Sequence, residues 1–371
     1  MGLAPGVAIA NIAFALCLGA ALVWRARAAR AGEAFLGPFA RRSPIHPALG
    51  AFVLLSVLSC LFSTLPSRSL EELKGFLTFL LVPLTMGFVR DTEDGHFVLD
   101  LYRGTALYMV VRGFLQYLSG ARSLDLRISG GLSVYMTYAG LLMTLSIVLA
   151  GRGLGPGRSR LSRALDLSIA LLGTVAVLLT LTRGAYVGLG VGAVALLAMV
   201  RRRWLLALPA VALLAFLAMP TAVRSRALSV DVADPSVRDR LLMWKSGAAM
   251  IADRPFFGVG PGRVKELYPV YRLPGHVLTN PGALHSNLVM IAAETGIASA
   301  LVYLALMAAF FLHAGRLLAS GAEESRLALV RGPIAALAAL FVAGLSEYNF
   351  GDVEVLMATL VVATLPFAAD H

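Results

Sequence analysis

Residues 165–200 read LDLSIALLGTVAVLLTLTRGAYVGLGVGAVALLAMV, and they decide the fold. A single helix of this length would be about 54 Å long, too much for one crossing of a ~30 Å hydrocarbon layer. Two spans must therefore meet inside it. The break is TLTRGAY, which puts the turn at Arg183–Gly184. Arg201, Arg202 and Arg203 close the second apolar half. Under the positive-inside rule they mark a cytoplasmic turn, which leaves Arg183 at the external face.

Composition agrees. The chain is 58% hydrophobic and 14% charged, where a soluble domain carries about 25% charged residues. Its mean hydropathy is +0.79. The expected fold class is an all-α polytopic membrane protein. The net charge of +11 would suggest nucleic acid in a soluble chain. Here most of it reads as loop arginines that fix topology, with some left over for an anionic substrate, and no nucleic-acid partner is expected. Cys17 and Cys60 both sit in apolar runs and form no zinc or disulfide pattern, so they read as packing residues.

Working toward the amino terminus, apolar runs lie near 132–150, 96–118, 73–89, 47–65 and 3–24. The arginine-rich segments 151–163 and 25–42 alternate with them as cytoplasmic loops, the latter carrying Arg25, Arg27, Arg30, Arg41 and Arg42 against Glu33. The first run reads as a retained span, since no cleavage site follows it. Toward the carboxyl terminus, runs lie near 204–219, 285–313, 333–345 and 355–367. The total is about eleven spans (eleven or twelve) in one integral membrane domain, residues 1–371. No solenoid-type repeat is present.

Between the eighth and ninth spans stands a large external loop, 220–284, with nine basic against five acidic residues. External loops normally lack such an excess, so this one asks for a reason beyond topology. Residues 235–253 within it read as an amphipathic helix with Asp234 as N-cap and Pro235 at its first position. Leu241, Trp244, Ala248 and Ile251 share a face expected to lie along the membrane or roof a site.

Polar residues gather on this external side, and each has a plain and a functional reading. Arg183 is either an interfacial arginine that snorkels to headgroups or a ligand for an anion. Gly258, Gly260 and Gly262 follow no strand, so a dinucleotide fold is excluded. Their amides could still face phosphate oxygens beside Arg254 and Arg263. His285 is either a helix cap or a base. Glu294, inside the ninth span, is a structural acid or a site residue. Asp352 and Glu354 are the only acidic pair that suggests a metal, no DxD occurs, and neither metal nor cofactor is expected.

Several of these stretches together carry a resemblance. They are TRGA at 182–185, DRLLMW at 239–244, ADRPFFGVGPGR at 252–263, HSNLVMIAAETG at 285–296 and EYNFGDVEVL at 347–356. In order and spacing the chain resembles the O-antigen ligase and O-antigen polymerase superfamily of bacterial envelope glycosyltransferases. The resemblance implies a GT-C-like fold in the inner (plasma) membrane of a bacterium, with an active site facing the periplasm. It implies transfer of a glycan from undecaprenyl pyrophosphate to an acceptor sugar, lipid A–core in the ligases, usually without metal. Arg183 and Arg263 then hold the pyrophosphate, with Arg254 nearby, and His285 is catalytic. Ser286, Asn287, Glu347 and the glycines support them. Two departures stand out. Ser299 replaces a family glycine, and the family shows about twelve spans with both termini inside. Within the enzyme class, a polymerase or a protein glycosyltransferase would share these motifs. A transporter of an anionic lipid or solute is the reading from another class, disfavoured because the polar groups collect at one face and not at the midplane.

Overall fold

The structure is a computed structural model that describes residues 41–229, 234–275 and 281–368, with isolated positions at 19, 23 and 27. The first apolar run, Cys17, and the arginines and glutamate of 25–33 other than Arg27 lie outside the described residues. The described chain is helical, and no strand occurs in it.

The helices, in order, are α1 (His46–Leu61), α2 (Pro66–Glu72), α3 (Leu81–Phe88), α4 (Thr92–Leu118), α5 (Tyr135–Leu154), α6 (Arg160–Leu179) and α7 (Arg183–Val200). After these come α8 (Leu208–Ala218), α9 (Thr221–Leu228), α10 (Pro235–Asp253) and α11 (Val264–Tyr271). The last four are α12 (Asn287–Thr295), α13 (Ile297–Ala319), α14 (Glu324–Ala343) and α15 (Val353–Ala368). Five of them, α5, α6, α7, α13 and α14, are long and apolar enough to cross a membrane, and α1, α8 and α15 are shorter apolar helices.

The expected break at residues 180–183 is present. α6 ends at Leu179 and α7 opens at Arg183. α5 is the buried axis of the bundle, with 89% of its apolar window enclosed. α6, α7 and α14 pack around it. Close approach depends on small residues. Gly184, Gly188 and Gly192 recur every fourth residue on the inner side of α7, and a Cβ on Gly188 would lie 2.7 Å from Met143 Sδ of α5 and 2.9 Å from the Ala339 carbonyl of α14. At the end of α5 remote from Tyr135, Arg152 is fully buried and bonds Asp166 through two nitrogens at 2.7 Å each. It also reaches Asp100 at 2.8 Å and the His96 carbonyl at 3.0 Å, which ties α4, α5 and α6 together.

One expectation changes. The ninth apolar run is two helices, because Gly296 takes φ +89 and ends α12. A Cβ there would overlap the Phe256 carbonyl, and Ile297 N donates to the Pro255 carbonyl at 2.9 Å, so the chain break clamps the turn after α10. α10 buries a different side from its apolar face. Asp239, Met243, Ser246, Gly247 and Met250 are its buried residues, whereas Leu241 is exposed. The buried side and the apolar face lie about 140° apart on the helix. The polar Asp239 and Ser246 hid the buried side from a hydrophobic pattern.

Candidate active site

Two strained turns meet at one end of the bundle. Leu181 (φ +58) precedes α7, and His285 (φ +47) precedes α12. Among the described residues these are the two non-glycines in left-handed backbone, a conformation that costs about 1–2 kcal/mol for an L-residue. Such strain persists only where the surroundings over-determine it, and it collects at functional sites. Both residues line the same cavity, of about 420 Å³.

Four guanidinium groups face that cavity, from Arg127, Arg183, Arg226 and Arg240. Arg183 and Arg226 converge on the N-terminus of α10. Arg183 reaches Asp234 Oδ2 at 3.3 Å and Ser236 Oγ at 2.6 Å, and donates to the Ser229 carbonyl. Arg226 reaches the same Asp234 oxygen at 3.2 Å and Ser236 Oγ at 3.1 Å. Burial works against the Asp234 charge, but hydrogen bonds from Ser236 and the Arg183 charge outweigh it and hold its pKa at about 2. Burial, and then the neighbouring Arg183 charge, push Arg226 down. Asp234 is thus both the expected N-cap, accepting from Ser236 N at 2.9 Å, and the internal anion between two arginines.

His285 and Glu347 form the opposite wall. Glu347 is 2% exposed, and its Oε1 accepts from Arg240 at 2.5 Å. Its Oε2 lies 3.7 Å from His285 Nδ1 and accepts no hydrogen bond among the described residues. His285 is not the helix cap. Ser286 is the N-cap, accepting from Val289 N at 3.5 Å. Asn287 joins the two chain segments of this wall. Its amide donates to the Gly344 carbonyl at 2.7 Å, and its Oδ1 accepts from Phe350 N at 3.0 Å.

Beside the cavity runs an apolar groove of about 500 Å³ that shares Arg183 and Arg240 with it. Tyr186, Val187, Val237, Leu241 and Trp244 line the groove. Leu241 and Trp244, from the face expected to lie along the membrane or roof a site, are among its lining residues, and Trp244 Nε1 donates to the Leu284 carbonyl at 3.1 Å.

Other expected residues lie elsewhere. Gly258, Val259 and Gly260 donate their amides to the carbonyls of Arg254, Ala293 and Glu294 at 3.0, 2.9 and 2.9 Å. Gly262 donates to Glu294 Oε1 at 2.8 Å. These amides do not face a phosphate. They brace the C-terminal end of α12, with Ser59 and Ser69 bonding the same loop at the Phe257 and Pro261 carbonyls. Arg263 bonds Thr64 at 3.2 Å, pairs with Glu266 and does not line the basic cavity, and Arg254 is exposed at the end of α10. Glu294 lines a second cavity of about 380 Å³ with Glu72, Lys265 and Tyr348. Burial pushes the Asp352 carboxyl up to about 6. Among the described residues no group of three or more His, Cys, Asp or Glu side chains is placed to hold a metal ion.

Arg127, Arg226 and Arg240 were not singled out by sequence reasoning. Arg240 had a signal. It falls one helical turn before Trp244 and one after Ser236, inside DRLLMW.

No curated protein matches the chain. A family model described as O-antigen ligase matches residues 168–304. That segment holds Arg183, Arg226, Arg240 and His285, while Arg127 and Glu347 fall outside it. Over residues 168–304 the chain is therefore similar to the O-antigen ligase family that its motifs resemble.

Proposed function

We propose that the chain is an O-antigen ligase-like glycosyltransferase. It takes a glycan from undecaprenyl pyrophosphate and passes it to an acceptor sugar of lipid A–core, at the periplasmic face of the bacterial inner membrane and without a metal. The observation that carries this reading is the shared wall. A groove lined by Val187, Leu241 and Trp244 opens beside a cavity with four arginines, and Arg183 and Arg240 belong to both. A polyprenyl chain needs the first and a pyrophosphate the second, joined at the point where lipid becomes phosphate.

The chemistry follows from placement. The acceptor oxygen forms a bond to the anomeric carbon while the bond from that carbon to the pyrophosphate oxygen breaks. The electron pair departs with the pyrophosphate, where positioned guanidinium groups stabilise the growing charge. The acceptor proton passes to His285, the side chain suited to a base near neutral pH. Asp234 now stands where Arg183 and Arg226 converge, so an incoming pyrophosphate competes with it for both.

The test is reconstitution in liposomes with an undecaprenyl pyrophosphate-linked glycan and lipid A–core. The expected result is transfer of the glycan onto lipid A–core. Extension of the donor glycan alone would point to a polymerase, and movement of the donor between leaflets without transfer would point to a transporter.

A further inference from the structure

We infer that Glu347 is a positioning residue for His285: its free Oε2 takes the imidazole Nδ1–H and leaves Nε2 bare toward the acceptor hydroxyl. The inference rests on the reading of His285 as base. Glu347 is 2% exposed, yet only one of its carboxylate oxygens is bonded, to Arg240 at 2.5 Å. A buried carboxylate oxygen left without a donor is destabilising. The atom it faces is His285 Nδ1, at 3.7 Å. Shortening by about 1 Å makes a charge-assisted hydrogen bond, and such contacts commonly tighten only when substrate is bound.

Both ends of the contact are fixed by backbone. His285 is held at φ +47 immediately before the Ser286 cap. The turn that bears Glu347 is fastened to the start of α12 by the two Asn287 hydrogen bonds, 2.7 Å to Gly344 and 3.0 Å from Phe350. Room for the carboxylate comes from Gly184. A Cβ there would sit 2.9 Å from Glu347 Cγ and 3.1 Å from Ser346 Oγ. The glycine after Arg183 is thus needed for the histidine's partner as well as for the helix packing below it. During transfer the acceptor proton lands on Nε2, and the imidazolium formed is stabilised by the Glu347 charge. When Nε2 releases that proton to water, the same tautomer is restored.

The experiment compares turnover of wild type, Glu347→Gln, His285→Ala and the double variant in proteoliposomes, per folded molecule by size exclusion. The expected result is that Glu347→Gln lowers kcat about 10–100-fold, part of the ~10²–10⁴-fold that a positioned base supplies, with donor KM little changed. In the His285→Ala background Glu347→Gln should add nothing. Glu347→Asp, which keeps the charge beside Arg240, should fall between wild type and Glu347→Gln and serves if the amide does not fold. Full turnover in Glu347→Gln, or an equal further loss in the His285→Ala background, overturns the positioning role alone. Full turnover in His285→Ala removes the base and this inference with it.

Discussion

The arginines of the basic cavity differ in what they hold, and that sets what each substitution should do. Arg183 has its guanidinium on Asp234, Ser236 and Ser229. Lys keeps the charge but not the fork that reaches two oxygens at once. Arg183→Lys should raise donor KM roughly 10–100-fold, the loss of one charge-assisted hydrogen bond. Arg263→Lys, outside the cavity, should do so much less. Equal effects would return Arg263 to the phosphate site. Asp352 gives a separate signal. Its folded pKa, about 6, stands above the ordinary carboxylate value of 3.8. Between those values the folded state binds the extra proton, so stability is greatest below the ordinary value and declines as pH rises to about 6. Thermal midpoints in detergent across that range should fall with rising pH, and Asp352→Asn should flatten the slope. An unchanged slope would show that Asp352 is not its source.

At the scale of elements, α7 carries two kinds of glycine. Gly188 faces α5 and α14 at contact distance, while a Cβ on Gly190 would meet nothing within 4 Å. Gly188→Ala should separate the helices and lower folded yield. Gly190→Ala should be neutral or stabilise by up to about 1 kcal/mol through helix propensity. Midpoints measured side by side decide it, and equal behaviour would mean that α7 does not pack as described. The same helix shows what was legible beforehand. The turn at Arg183 follows from length and charge together, because an apolar run too long for one crossing must bend, and Arg183 is the charge in its middle. That Arg183 meets Arg226 was not legible. Their meeting depends on how α9 returns against the start of α7, which no local pattern encodes. Gly296 misled for a related reason. It lies inside an apolar run long enough to read as one span, and its left-handed backbone is set by the turn at Phe256, distant in sequence.

Across the whole molecule, charge is concentrated at both ends of α5 and serves different purposes. The Tyr135 end opens into the basic cavity. The Arg152 end, about 30 Å away along a 20-residue helix, is closed, with Arg152 and Asp166 both fully buried. Removing one member of a buried pair costs about 3–5 kcal/mol, because the other charge is left uncompensated. Arg152→Met should therefore lower folded yield sharply. Among the described residues Asp166 would then retain Arg103 alone as a cationic partner, at 3.4 Å. Replacing both, as Arg152→Met with Asp166→Leu, removes the orphan charge and should recover most of the lost stability, since an apolar pair of similar volume is often as good as the ion pair. Arg103 would still hold Asp100 at 3.0 Å and Ser162 at 3.0 Å, so the swap strands no other charge. Turnover per folded molecule should match wild type in both variants, because nothing in this network reaches His285 or the arginines of the cavity. Measuring melting midpoint and turnover together separates the two ends. Loss of turnover in the well-folded double variant would show that the Arg152 cluster acts on the site and does more than clamp α4, α5 and α6.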